Sequence, residues 1–309
     1  MKNIKNILIC GAGMMGKNIG FVFASNPDFK VGLYDLYPTD VEAGIRTNTR
    51  QLVEKGVLTE QELAERLSRI SFTSDIDSEL VKDADLVIEA VFEDMGIKRE
   101  TFAKLEARCR PDTIFCTNSS VMSPSEISAQ LKHRERFVGT HFWNPGHLIP
   151  LVEVVKSDAS SEETAQTVME VLRSVGKRPV LCKKDVPGFI ANRMQHALWR
   201  EAISIVEHGI ADAATVDEAV RYSFGLRLPQ LGPMENADMV GTDLTYNIHD
   251  YILRDLESSP EPSPLLRQLR DEGKLGFKSG EGFQSWTPGQ VAQSNADLND
   301  YLIRMLYGK

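Results

Sequence analysis

The sequence predicts an α/β protein: a doubly wound, largely parallel sheet with a helical hairpin insertion, followed by an all-helical C-terminal domain. Three observations carry this. Short β-rich runs alternate with helical patterns through the first half. Several of those runs are apolar almost throughout, as strands buried on both faces must be. From about Asp185 onward only helical periodicity remains.

Taken in order, residues 4–10, 30–35, 70–73, 84–91, 113–117 and 137–142 read as strands. Helical segments at 14–25 and 96–109 lie between them. After the second strand the chain inserts residues 41–69, which read as two helices: Ile45, Leu52 and Val53 make one apolar stripe, Leu63 and Leu67 another, with Gly56 between. Asp185 is expected to cap the next helix, with Pro187 in its first turn and Gly209 at its end. Phe189, Ile190, Met194, Ala197, Leu198, Ile205 and Val206 keep near-helical spacing along it. Thr215 with Glu218 reads as a capping box opening a helix that Gly225 stops. Helical patterns then cover 236–256 and 264–272, separated by a loop containing Pro260, Pro262 and Pro264. A chain of 309 residues is long enough for two domains. The expected division is 1–184 and 185–309.

The bulk numbers exclude several classes of function. A net charge of −9 argues against broad contact with nucleic acid, though a local basic pocket is allowed. No apolar run is long enough to span a bilayer. The stretch from Met1 to Asn6 lacks a signal-peptide core, and the glycines from Gly11 to Gly16 interrupt the apolar run after it, so a cytoplasmic location is expected. Cys10, Cys109, Cys116 and Cys182 show no CxxC spacing and read as buried, reduced thiols rather than metal ligands.

The first chemical signal is Gly11-Ala12-Gly13-Met14-Met15-Gly16. GxGxxG alone is weak, but here it follows a strand and opens an amphipathic helix, and Asp35 ends the next strand nineteen residues beyond Gly16. That context is the dinucleotide fingerprint of a Rossmann-type domain. Gly11 permits the tight turn, Gly13 the approach of the pyrophosphate, and Gly16 close helix–strand packing; Met14 and Met15 lie within the same turn. The helix N-terminus offers oriented N–H donors. Asp35 suits ribose hydroxyls and would repel a 2′-phosphate, and no arginine follows in Leu36-Tyr37-Pro38-Thr39, so NAD is favoured over NADP.

Four further segments matter together. Cys116-Thr117-Asn118-Ser119-Ser120 ends the fifth strand, where an open α/β sheet binds ligands. Gly139-Thr140-His141-Phe142-Trp143-Asn144-Pro145 ends the sixth. Glu153, twelve residues after His141, is a carboxylate inside the apolar run Leu151-Val152-Glu153-Val154-Val155. Pro187-Gly188-Phe189-Ile190-Ala191-Asn192-Arg193 opens the second domain. Oxidising a secondary alcohol requires removal of the hydroxyl proton as hydride leaves carbon, and histidine is suited to that by its near-neutral pKa. A buried Glu153 paired with the other ring nitrogen would orient the imidazole and stabilise the imidazolium. Use of His141 and Glu153 as metal ligands lacks a third residue at suitable spacing.

In order and spacing these segments resemble the L-3-hydroxyacyl-CoA dehydrogenase family over essentially the whole chain. The likeness includes the hairpin, Gly232-Pro233-Met234-Glu235-Asn236, and the run Leu275-Gly276-Phe277-Lys278-Ser279-Gly280-Glu281-Gly282-Phe283. It implies an NAD-dependent oxidoreductase with His141 as base and Glu153 as its partner. It also implies Ser120 and Asn192 hydrogen-bonding the substrate oxygen or the histidine. Glu93 and Asn118 would line the nicotinamide side, and Lys98 is placed with the cofactor-binding set. Glu93 can equally be read as a helix cap. A homodimer through the C-terminal helices is implied as well.

The substrate is less legible. Family members acting on CoA thioesters use the hairpin and the cleft between domains for CoA, and a role in fatty acid metabolism would follow. Here the hairpin balances Arg46, Arg50, Lys55, Arg66 and Arg69 against Glu42, Glu54, Glu60, Glu62 and Glu65. CoA-dependent members carry methionine and lysine just before Leu-Val-Glu, whereas this chain has Ile149-Pro150. The proline is similar to relatives acting on free carnitine, gulonate or a pyridine alcohol, while the segment 273–283 resembles the CoA type. A 3-hydroxyacyl-CoA is the expected substrate, a free small hydroxy acid the alternative. An NAD-binding structural protein without turnover would predict damage to the His–Glu–Ser–Asn set, and all four residues are present.

Overall fold

The computed structural model describes residues 3–309; Met1 and Lys2, part of the stretch read for a leader, lie outside them. The strands are β1 (Asn6–Cys10), β2 (Lys30–Tyr34), β3 (Ile70–Thr73), β4 (Leu86–Glu89), β5 (Ile114–Thr117), β6 (Phe137–Phe142), β7 (Leu151–Lys156) and β8 (Arg178–Cys182). The helices of the sheet-bearing half are α1 (Met14–Phe23), α2 (Val41–Glu54), α3 (Glu60–Leu67), α4 (Glu79–Lys82), α5 (Met95–Glu106), α6 (Pro124–Ile127) and α7 (Glu162–Ser174). Beyond them lie α8 (Ala191–Glu207), α9 (Ala213–Arg221), α10 (Pro233–Val240), α11 (Thr242–Ile252), α12 (Pro264–Asp271) and α13 (Pro288–Tyr307).

Among the described residues the strands form one sheet in the order β3-β2-β1-β4-β5-β6-β7-β8. β1 to β6 run parallel, β7 is antiparallel to β6, and β8 is parallel to β7. Alternate residues of β1 enter different cores: Ile7 and Ile9 join Ile19, Phe23, Leu33 and Val168, while Leu8 and Cys10 join Val81, Phe102, Phe115 and Phe137. Burial on both faces is why the strand reads as apolar throughout. Phe102 of α5 packs edge-on against Phe115 and Phe137, with ring centroids 6.0 and 4.8 Å away.

The insertion is a helical hairpin. Asp40 caps α2 by accepting from the Ala43 N–H, and Thr59 with Glu62 forms a capping box on α3. Ile45, Leu52 and Leu63 join the first core.

Two compact units emerge: the chain up to Ala191 together with Asp297–Lys309, and Asn192–Ala296. The division lies seven residues beyond the boundary read from the sequence, and the last thirteen residues pack with the first unit. Ile303 of α13 is buried in the same core as Leu52 and Leu63. The second unit is helical, with the short bridges Gly276↔Glu281 and Glu281↔Ser285.

Several helix boundaries differ from the sequence reading. α8 starts at Ala191, because Gly188 (φ 75°) and Phe189 (φ 50°) take left-handed backbone conformations that no helix accommodates. Asp185 caps nothing there; its carboxylate accepts from the Ser123 hydroxyl and the Ser125 N–H. The cap of α9 is Asp212, accepting from the Thr215 N–H at 2.8 Å, in place of Thr215 itself. Gly241 (φ 102°) divides the run 236–256 into α10 and α11. No helix among the described residues is long and apolar enough to cross a membrane.

Candidate active site

The parallel register aligns the ends of four strands at one edge of the sheet: Cys10 pairs with Glu89, Glu89 with Thr117, and Thr117 with Gly139. The segments that follow β1, β4 and β5, and the end of β6, therefore gather where ligands bind in such sheets.

At the first of these, Gly11 has φ 105°, and a Cβ there would lie 2.6 Å from the Ala90 carbonyl oxygen. A Cβ on Gly16 would lie 1.8 Å from the Gly11 oxygen, so the turn passes Ala90 only with glycine at 11 and α1 approaches β1 only with glycine at 16. Gly13 is the opposite case. A Cβ there meets nothing within 4 Å, leaving an open cradle above the N-terminus of α1. Asp35 is half-buried beside it, accepting from Ala12 N–H at 2.7 Å and Tyr37 N–H at 3.1 Å. Open backbone donors with an adjacent carboxylate fit a dinucleotide pyrophosphate and its ribose. Met14 is exposed and Met15 partly so; both flank the cradle in sequence.

At the second, after β4, lies a buried charge network that the sequence does not reveal. Glu89, fully buried, accepts from Lys98 Nζ (2.7 Å), the Thr117 hydroxyl (2.7 Å) and the Val91 N–H (2.8 Å). Lys98 also reaches Glu93 Oε2 at 3.1 Å. Burial raises the Glu89 pKa despite these donors. Glu93 is also partly desolvated, but the Ser119 hydroxyl and Lys98 outweigh this and hold its carboxyl below the usual range. Glu93 further accepts from Ser119 Oγ and from the Ser120 N–H (3.1 Å). Lys98 is only 1% exposed, and its ammonium orders the two carboxylates. Glu93 does not cap α5: Asp94 does, accepting from the Ile97 N–H. A signal for Glu89 is present in the sequence, a carboxylate closing an apolar strand.

Asn118 stitches β5 to β6, its side-chain oxygen accepting from the Phe142 N–H at 2.9 Å. One strand over, the antiparallel register sets His141 directly opposite Glu153. His141 Nδ1 lies 2.9 Å from Glu153 Oε2, both residues buried. That oxygen also accepts from Trp143 Nε1 at 3.3 Å, while Oε1 accepts from the N–H groups of Ile190 (2.9 Å) and Ala191 (3.0 Å). Burial alone would raise the Glu153 pKa; the hydrogen bonds from His141, Ala191 and Ile190 reverse it and hold the carboxylate ionised. Asn192, next in sequence to Ala191, is the first residue of the second unit. The geometry thus brings His141, Glu153, Trp143 and Phe189 together, and separately Glu93, Lys98, Ser119 and Ser120. An imidazole whose Nδ1 faces a fixed carboxylate can accept a proton at Nε2.

The four cysteines are free and buried, and burial raises the thiol pKa of each. Among the described residues no cluster of histidine, cysteine, aspartate or glutamate is placed to hold a metal ion.

Comparison with known proteins gives a consistent result. Residues 6–186 match the family described as 3-hydroxyacyl-CoA dehydrogenase, NAD binding domain, and residues 188–286 the corresponding C-terminal domain. The chain is 33% identical over 312 residues to the 5-formyl-3-hydroxy-2-methylpyridine 4-carboxylate 5-dehydrogenase of Mesorhizobium japonicum, covering 99% of both proteins. It is 38% identical to a probable 3-hydroxybutyryl-CoA dehydrogenase of Bacillus subtilis, covering 92% of this chain and 98% of that one. Among solved structures, a 5-formyl-3-hydroxy-2-methylpyridine 4-carboxylic acid 5-dehydrogenase, an NAD+-dependent dismutase, superposes with a TM-score of 0.90 at 32% identity, covering 99% and 100%. The (S)-3-hydroxybutyryl-CoA dehydrogenase of Ralstonia eutropha gives 0.77 at 29%, covering 92% and 100%. The chain belongs to the 3-hydroxyacyl-CoA dehydrogenase family of NAD-dependent oxidoreductases acting on CH–OH groups.

Proposed function

We propose that the protein oxidises a secondary alcohol to a ketone, or reduces the ketone, with His141 as the base and a free small hydroxy acid as substrate. The glycine turn would hold NAD, with Asp35 accepting from its ribose hydroxyls, and the nicotinamide would supply the hydride acceptor. His141 Nε2 takes the hydroxyl proton as the C–H bond breaks. Glu153, hydrogen-bonded to Nδ1, fixes the ring tautomer and stabilises the imidazolium. Ser120 and Asn192 would hold the substrate oxygen, with Glu93 and Asn118 toward the nicotinamide. The products are the carbonyl compound, NADH and one proton.

One observation carries the choice of a free substrate over a CoA thioester: the hairpin is occupied by the chain itself. Lys55 pairs with Asp300 of α13 at 2.9 Å. Arg46 pairs with Glu42 and Glu60, and Arg50 with Glu54. Arg69 donates to the Ala24 carbonyl, and Arg66 lies over the Phe21 ring at 4.9 Å. The exposed pairs are individually weak, up to about 1 kcal/mol. Burial of Ile303 adds roughly 2 kcal/mol to the docking of α13. A CoA polyphosphate would have to displace these contacts. α13 lies beyond the family's C-terminal match, which ends at residue 286, and the pyridine-carboxylate relative spans it at 99% coverage. Ile149-Pro150 before β7 points the same way.

A second reading, a 3-hydroxyacyl-CoA substrate, is favoured by the names of several relatives and by the segment 273–283. NADH oxidation with acetoacetyl-CoA beside free acetoacetate, dehydrocarnitine and aromatic carbonyl acids separates the two. Turnover confined to free compounds supports the proposal, and saturable turnover of the thioester alone refutes it. We further propose a homodimer. In the second unit Met194, Trp199, Tyr222, Met234, Tyr246 and Tyr251 are among many exposed apolar side chains that a second copy would cover. Sedimentation as a monomer at micromolar concentration would refute it.

A further inference from the structure

Phe189 is the one non-glycine residue with positive φ among the described residues, at 50°. Phenylalanine seldom adopts the left-handed region, and where such a residue persists the surroundings must enforce it. The enforcing contacts are on either side. The Phe189 N–H donates to the Val186 carbonyl at 3.1 Å, and the next two N–H groups, of Ile190 and Ala191, are held by Glu153 Oε1. The ring is 2% exposed and packs with Val155 and Cys182, apart from the two main cores. Its other neighbour is the imidazole of His141, with ring centroids 5.8 Å apart at 57°. Trp143 contacts the same imidazole at 5.3 Å and 50°.

We propose that Phe189 is a positioning residue for His141, its ring fixing the plane of the imidazole so that Nδ1 stays on Glu153 and Nε2 stays free to accept the proton. The inference rests on His141 being the base. Glu153 then acts twice. One oxygen holds the histidine, and the other holds the backbone turn that delivers the ring to it. A side chain without the ring keeps the strained turn but leaves the imidazole free to rock about its Cβ–Cγ bond, breaking alignment with the substrate hydroxyl. Trp143 flanks the same imidazole, with its indole N–H directed to the carboxylate.

The test compares Phe189→Leu and Phe189→Tyr in the full chain with NADH and an accepted carbonyl substrate. Phe189→Leu is expected to lower kcat between about tenfold and about a hundredfold. NADH affinity should change less than about twofold, since one such factor is below 1 kcal/mol. Phe189→Tyr should restore kcat to within about threefold, because the ring is kept. If Phe189→Leu does not fold, Phe189→Met carries the same expectation. A readout independent of turnover is the 15N spectrum of histidine-labelled protein, with His141 assigned by its loss in His141→Gln. The wild type should show a single tautomer protonated at Nδ1, and Phe189→Leu a shift toward the tautomer average. A kcat within twofold of wild type with unchanged 15N shifts overturns the proposal, as does loss of NADH affinity in step with kcat. A wild-type protein inactive on every carbonyl compound would sink the reading of His141 as base, while the 15N shifts would still decide the role of Phe189.

Discussion

Lys55, just beyond the first hairpin helix, lies 2.9 Å from Asp300 in the last helix of the chain, 245 residues away. The pair marks where the C-terminal helix seats on the hairpin, and Ile303, one turn further, is buried there. Docking of this helix should therefore rest on the apolar contact more than on the charge pair. Ile303→Ala is expected to destabilise the first unit by about 3 kcal/mol, and Asp300→Ala by less than about 1 kcal/mol. Urea unfolding followed by far-UV circular dichroism measures both; equal effects would contradict a docking held by apolar contact.

Lys98 offers a sharper test of buried charge. It is the shared cation of Glu89 and Glu93, and removing it leaves Glu89 ionised and uncompensated in the core or forces its protonation. Lys98→Met should cost about 3–5 kcal/mol. Pairing it with Glu89→Gln should recover part of the loss, because the unpaired charge is gone. A double variant no more stable than Lys98→Met in thermal unfolding would argue against the network.

Cofactor choice turns on Asp35. In the proposed cofactor site, Asp35→Ala would remove the acceptor for the ribose and the negative charge that opposes a 2′-phosphate. The ratio of NADPH to NADH affinity, read by fluorescence titration, should move at least about tenfold toward NADPH. An unmoved ratio, or a wild type that already prefers NADPH, would contradict the assignment.

Two desolvated bases, the half-buried His147 after β6 and the buried Lys177 just before β8, give a pH signature. Burial, then the neighbouring Lys177, depresses His147 from 6.5 to about 4, and its Nδ1 has no partner. Burial depresses Lys177 from 10.5 to about 8 while it donates to the Gly146 and Ile149 carbonyls. A depressed base binds its proton less readily folded than unfolded. Stability is therefore lost as pH falls from 6.5 toward 4 through His147. Likewise it should rise between pH 8 and 10.5 through Lys177. His147→Leu should flatten the acid-side slope of the unfolding midpoint; an unchanged slope would remove His147 as its source.

The cofactor turn, Asp35, His141 and Glu153 are legible in the sequence because each sits in a contiguous motif or breaks an apolar run. The contact of His141 with Glu153 is not readable from a spacing of twelve, since it depends on the antiparallel register of β6 with β7. Nothing local in the sequence reveals that Lys98 pairs with Glu89, nine residues earlier. Phe189 falls on a helical stripe by spacing alone. The two consecutive left-handed residues that exclude it from the helix are fixed by Glu153, a tertiary partner. The sequence pattern marks none of Glu162–Ser174, Arg178–Cys182 and Pro288–Tyr307 as an element. In the last of these only Ile303 is fully buried, so its apolar stripe is too thin to stand out from its polar residues.

Whether His141, held by Glu153, is the base in hydride transfer is decided by single-turnover NADH oxidation in wild type and His141→Gln. Both are measured at saturating carbonyl substrate, with NADH affinity determined in parallel. A base at His141 predicts a fall of at least about a hundredfold in the variant, with NADH binding unchanged. A rate within a few-fold of wild type would contradict it and remove His141 from the chemistry.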